Sequence, residues 1–225
     1  MAETGAGLGP ELAALGCAAL VDAMGRVHGH RSHVLPLVSP EPGSHLFGPA
    51  ATISYMPYRD DVEQTSETFA DFFYRAVGDS PAGKVLVLSS GGYPEVSHGG
   101  GTKLSRAANH GLAGVLADGR LRDFGRLEEY GFSTWCRGES VRWGGDTVMP
   151  YAAGVTVEFG GVCVVPGDYV FADASGAVVI PRRSLTRVVE AAHRVDIEDA
   201  GSVEAIRTEK NPLSGRRRGH EHDPS

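Results

Sequence analysis

Cysteine, lysine and long apolar runs are all scarce in this 225-residue chain. The three cysteines, Cys17, Cys136 and Cys163, have no metal-ligand spacing. So sparse and odd a set argues against a disulfide scaffold and for reduced thiols in a cytoplasm-like compartment. Each reads as a small buried apolar residue. Lysine occurs only at Lys84, Lys103 and Lys210. Lys84 starts a strand and Lys210 falls in the tail, so a lysine Schiff base would have to rest on Lys103. Lys103 also reads as an ordinary solvated helix residue. No apolar run approaches the roughly 20 residues that span a bilayer. The N-terminus lacks a charged start followed by an apolar core, so neither a signal peptide nor a membrane partner is expected, and the expected location is cytoplasmic. The net charge of −7 discourages a nucleic-acid partner. The basic triplet Arg216-Arg217-Arg218 reads as a solvated end.

Glycine, by contrast, is abundant at 31 residues, which points to many tight turns. Apolar content of 41% and charged content of 22% fit an ordinary globular domain. The patterning predicts one domain over residues 1–209, with residues 1–9 frayed and a polar, disordered tail over 210–225. A helix is expected over 10–24 with a break near Gly16, and another over 65–77 with Phe69, Phe72 and Phe73 on one side. Strands are expected over 46–55, 84–89, 114–117, 133–136, 169–172 and 177–180. A hairpin is expected from 153–159 to 162–165 around Gly160-Gly161. A last helix runs from Ser184 to about Glu204. Four histidines at 28, 30, 33 and 45 have no facing geometry that suggests a metal.

The stretch from Gly99 to Asp123 carries the chemistry. Three glycines, Gly99 to Gly101, precede a short helix that Gly111 closes. Backbone amides at such a start attract anions, which makes Gly100, Gly101, Thr102 and Lys103 candidates for substrate binding. A strand over 114–117 and an Asp118-Gly119 turn then deliver Arg122 and Asp123. An arginine grips a carboxylate with paired hydrogen bonds, and an aspartate can hold a hard divalent cation. Together these parts suit a small organic acid beside a metal. Spacing alone equally fits a tight turn, a helix and a surface ion pair.

An ordered series of motifs goes further. It runs through Leu20-Val21-Asp22-Ala23-Met24-Gly25, Phe47-Gly48-Pro49-Ala50-Ala51-Thr52 and Gly83-Lys84-Val85-Leu86-Val87. It continues in Gly114-Val115-Leu116-Ala117-Asp118-Gly119-Arg120-Leu121-Arg122-Asp123, Gly161-Val162-Cys163-Val164-Val165-Pro166-Gly167-Asp168 and Asp173-Ala174-Ser175-Gly176-Ala177-Val178-Val179-Ile180-Pro181. Over residues 12–200 the chain resembles the RraA-like family, which contains 4-hydroxy-4-methyl-2-oxoglutarate aldolases, oxaloacetate decarboxylases and regulators of ribonuclease activity. The resemblance implies a layered α/β fold with a swivelling β/β/α-type core, assembled as homotrimers or hexamers with sites near subunit interfaces.

The resemblance also implies a function: a divalent-metal-dependent lyase that cleaves a small 2-oxo acid through a pyruvate enolate. Arg122 and Asp123 match the catalytic pair, Asp123 would carry Mg²⁺ or Mn²⁺, and Gly101, Thr102 and Lys103 match the anion-binding backbone. Two positions depart from the family pattern. Gly101 and Arg126 stand where the aldolases favour acids, which predicts weaker metal binding. Glu95, His98, Asp196 and Glu198 are candidate replacements. Two other readings follow from the same resemblance. One is a regulator that binds a ribonuclease. The other is a diverged enzyme whose pocket involves Tyr93, Glu95, His98 and Trp143.

Overall fold

The apolar run at Val85–Ser89 becomes a strand buried on both faces. Val85 and Val87 enter one core and Leu86 and Leu88 another. A parallel strand covered on both sides needs no polar face, which is why its sequence is continuously apolar. The computed structural model describes residues 7–35, 37–62 and 66–209, so residues 1–6 and the expected tail at 210–225 lie outside it.

In chain order the elements are α1 (Gly9–Val27), β1 (His33–Val34), β2 (Leu46–Pro57), α2 (Phe69–Val77), β3 (Val85–Ser89), β4 (Ser97–Gly99) and α3 (Gly101–Asn109). Then come β5 (Gly114–Ala117), β6 (Arg120–Leu121), α4 (Phe124–Glu129), β7 (Ser133–Trp135), β8 (Val148–Ala153), β9 (Val157–Phe159), β10 (Val162–Val164), β11 (Tyr169–Asp173), β12 (Gly176–Ile180) and α5 (Leu185–Arg207). The main sheet has the order β1-β12-β11-β2-β3-β5-β7, with β8 pairing the far part of β2. Strands β2, β3, β5 and β7 run parallel, and β1, β12 and β11 continue the sheet antiparallel. The layered α/β architecture expected from the sequence is the one observed.

Three cores hold the layers together. Phe72 and Phe73 of α2, Leu104 of α3 and Leu127 of α4 cover one face of the parallel strands. The β9–β10 hairpin closes the other face through Phe159 and Val164, against Val85, Val87 and Trp135. Helices α1 and α5 pack on the outer antiparallel strands through Leu12, Leu20, Met24, Val188 and Ala192.

The break expected in the first helix falls at Gly16, whose φ of 73° and ψ of 170° are non-helical. The second segment restarts at Cys17, whose amide donates to Asp173 Oδ2 at 2.8 Å. Helix α2 starts later than expected, at Phe69, because Thr68 and Asp71 form a capping box there. Thr65 of that expectation lies outside the described residues. The expected hairpin is shorter, because Ala153 belongs to β8 and pairs with Ile53 of β2. Cys17 and Cys136 are buried as expected, but Cys163 is exposed. Burial pushes the Cys136 thiol up to about 11 and that of Cys17 further, which leaves both protonated and unreactive.

Candidate functional site

Two very short strands assemble the site. β4 and β6 pair in parallel, with Ser97 opposite Arg120 and Gly99 opposite Leu121. Arg122 continues the contact by donating its amide to the Gly99 carbonyl at 2.9 Å. The glycine run therefore lies directly beside the Arg122-Asp123 pair, and α3 starts where β4 ends. The place is chemically sensible, because the chain reaches it from the carboxyl ends of β3 and β5, where open α/β sheets bind ligands.

Asp123 adopts the left-handed conformation, with φ 63° and ψ 46°, the one non-glycine residue with positive φ among those described. This turns its carboxylate toward the start of α3, where Oδ2 accepts from the Gly101 amide at 3.0 Å. Its carbonyl accepts from the amides of Arg126 and Leu127 and so begins α4. The Phe124 amide is taken by Glu139 Oε1 at 2.9 Å. The Gly101 amide is thus already engaged by Asp123. The amides of Thr102 and Lys103, in the first turn, have no intrahelical partner to receive them.

The two departures from the family pattern meet in space. A Cβ at position 101 would lie 2.6 Å from Arg126 Cδ, so glycine makes room for the arginine's stem. One more carbon at 100 would lie 2.9 Å from Asp123 Oδ2. Glycine at both positions lets the helix start close on the Arg122-Asp123 pair.

A pocket of about 70 Å³ opens here, lined by Ser97, Gly99, Gly100, Thr102, Lys103, Arg122, Asp123 and Trp143. Asp123 is its single acid, and Arg122 and Lys103 are its cations. Lys103 is exposed overall, yet its ammonium sits 5.5 Å from the Phe69 ring centre. Desolvation of that ammonium, then the like charges of Arg122 and Arg106, hold its pKa below the usual lysine range.

None of the proposed replacement groups lines this pocket. Glu95 accepts from Arg120 at 2.8 Å. Glu198 pairs with Arg26 on the α1–α5 side of the molecule, and Asp196 lies on the same helix, α5. His98 is buried, with its two ring nitrogens each 3.0 Å from a carbonyl, those of Val96 and Ser90. Burial, more than any other influence, lowers its pKa. It braces the loop before β4 and is not free to act as a base. Tyr93 does not line the pocket, but Trp143 does, with its indole over Gly145. Of the histidines of the 28–45 stretch, His28 and His30 have ring centres 5.0 Å apart and His28 also meets Ser184 Oγ, whereas His45 stacks on Phe171. Among the described residues, no group of three or more His, Cys, Asp and Glu side chains is placed to hold a metal ion.

The sequence reading did not anticipate Ser97. Its residue type is common, and its position follows from the β4–β6 pairing alone. A larger cleft, about 640 Å³, lies at the opposite, amino-terminal ends of β3 and β5, between Pro10, Phe47, Ala82 and Tyr169. Among the described residues no lysine, arginine or carboxylate lines it, and His45 is its one ionisable nitrogen group.

A layered α/β domain with a glycine-opened helix facing an arginine–aspartate pair is, in class, an aldolase/RraA-type protein. The family model RraA-like, described as Aldolase/RraA, matches residues 17–179, and the chain belongs to that family. A candidate 4-hydroxy-4-methyl-2-oxoglutarate aldolase of Halalkalibacterium halodurans is 29% identical over 132 residues, 59% of this chain and 62% of that protein. Protein DlpA of Legionella pneumophila is 27% identical over 169 residues, which cover 75% of this chain but 26% of that protein. The chain therefore spans less than two thirds of the length of either relative. The crystal structure of RraAS2 from Streptomyces coelicolor, described as an unusual member of the RNase ES inhibitor RraA protein family, superposes with a TM-score of 0.74 at 28% identity. That match covers 87% of this chain and 94% of that one. Among the described residues no helix is long and apolar enough to cross a membrane.

Proposed function

We propose that the chain is a carbon–carbon lyase acting on a small 2-oxo acid. The observation behind this reading is the placement of Arg122 and Asp123 against the start of α3 in a pocket sized for a small acid. Arg122 takes the substrate carboxylate in paired hydrogen bonds. The amides of Thr102 and Lys103 and the Lys103 ammonium face the 2-oxo oxygen, where negative charge builds as the bond breaks. In the retro-aldol direction the C3–C4 bond of a 4-hydroxy-2-oxo acid breaks. The C4 hydroxyl gives up its proton and becomes a carbonyl, and C3 gains a proton from water to leave pyruvate. In oxaloacetate the same electron flow releases carbon dioxide.

A single carboxylate fits a magnesium-type ion, which commonly keeps several waters and binds through one or two carboxylates plus the substrate. Asp123 would hold Mg²⁺ or Mn²⁺, and such an ion, when bound, polarises the 2-oxo group. The donor set does not fit a closed site built of several protein ligands. With acids missing at 101 and 126, the ion should dissociate readily. Assembly as a trimer or hexamer, as in the family, belongs to the same proposal.

Purified protein given oxaloacetate or a 4-hydroxy-2-oxo acid should release pyruvate. Release should stop with a chelator and resume with Mg²⁺ or Mn²⁺. A protein inert toward all of these, but able to bind and inhibit a ribonuclease, would favour the regulator reading that the likeness to RraAS2 supports.

A further inference from the structure

A second pocket of about 190 Å³ adjoins the acid pocket, and the two share Ser97, Lys103 and Trp143 as lining. The first, at about 70 Å³, has less than half the volume of the roughly 150 Å³ cavity that admits benzene, so it takes a three-carbon oxo-acid head and little more. The second exceeds that benzene-sized volume. The adjoining pocket is the nearest lined space for whatever C4 carries.

The walls of that pocket define the chemistry. Tyr58, Trp143, Val148, Met149 and Pro150 present aromatic and aliphatic surface, beside the polar groups of Ser97, Lys103 and Glu67. Tyr58 and Trp143 are 41% and 62% exposed, so these rings are not consumed by core packing. Among the described residues its acid is Glu67, ion-paired with Arg75. His98 has its ring nitrogens on the Val96 and Ser90 carbonyls. Lys103, at the border, is the one lysine or arginine among the described lining residues, and it serves the head. A second carboxylate would meet Glu67 with no arginine to receive it.

We propose that the substrate is a 4-hydroxy-2-oxo acid with an uncharged aryl or branched alkyl group on C4, held against Trp143, Tyr58 and Met149. Cleavage then yields pyruvate and an apolar aldehyde or ketone, not a second oxo acid. This assignment rests on the head pocket proposed above.

Calorimetric titration of the intact protein with Mg²⁺ separates the two claims. Three ligands that cannot be cleaved are used: pyruvate, 2-oxo-4-phenylbutanoate and 2-oxoglutarate. The phenyl compound should bind about tenfold or more tighter than pyruvate, from burial of its ring, and 2-oxoglutarate should gain nothing over pyruvate. Met149→Trp, which fills the pocket, and Tyr58→Ala, a milder surface change, should each shrink the ratio of phenyl to pyruvate affinity several-fold. If pyruvate binds but the phenyl group adds nothing, or 2-oxoglutarate gains as much, the tail assignment is wrong and the head pocket stands. If pyruvate itself does not bind, the head pocket is wrong and the tail assignment goes with it.

Discussion

Asp123→Asn lowers kcat/KM for 2-oxo-acid cleavage by about a thousandfold while leaving the fold intact, the scale expected when a preorganised charge in the pocket is lost. Among the described residues Asp123 is the only acid lining the small pocket, so its carboxylate has no local substitute there. Asparagine is the informative replacement because it tolerates the left-handed backbone that Asp123 adopts. Its side-chain oxygen can still accept from the Gly101 amide, as Asp123 Oδ2 does at 3.0 Å. Alanine loses both features. The left-handed conformation costs it roughly 1–2 kcal/mol, and the lost acceptor about 1 kcal/mol more. Pyruvate-release kinetics and thermal unfolding of both variants check this together. Both should be inactive, but only the alanine variant should melt several degrees lower.

Arg122→Leu should cost about two to three orders of magnitude in kcat/KM, because removing one side of a charged, hydrogen-bonded contact costs roughly 2–5 kcal/mol. Most of the loss should fall on KM, since the arginine holds the carboxylate in ground state and transition state alike. Arg122→Lys should recover only a small part. An ammonium cannot reproduce the planar fork, and Lys103 already supplies a point charge to the pocket. Steady-state kinetics with oxaloacetate distinguish these outcomes. Full activity in Arg122→Leu would place the substrate carboxylate elsewhere.

The parts of the fold legible in the sequence are those fixed by local pattern. The apolar run at β3 announces a strand covered on both faces, and Gly16 announces a break in α1. The reason the helix resumes is not local, because the cap at Cys17 is Asp173, 156 residues away. Strands β4 and β6 were not expected. They span three and two residues and exist through their mutual pairing, which no periodicity records. The same holds for the candidate site. Arg122, Asp123 and the glycine run read as neighbours of a helix start, and the structure brings them together. Gly101 and Arg126 read as two separate departures, and only their packing joins them. Ser97 and Trp143 reach the pocket through backbone contacts, among them the Ser97 amide donating to the Arg142 carbonyl at 2.9 Å. Hydrophobic patterning is silent on such contacts.

The family's chemistry does not transfer unchanged. Two acids are absent, and an arginine stem fills part of the space beside the helix start. What remains, among the described residues, is a pocket with one carboxylate, two cations and free helix amides, a set that should hold an oxo acid more firmly than a metal. Activity should therefore depend on the metal, but the metal itself should bind weakly.

The most direct measurement is a crystal structure of the protein soaked with oxalate and Mn²⁺, with the manganese located by its anomalous scattering. The account predicts manganese on the Asp123 carboxylate and oxalate between Arg122 and the amides of Thr102 and Lys103. Both ligands bound at a different pocket, with Arg122 and Asp123 turned to open solvent, would contradict it.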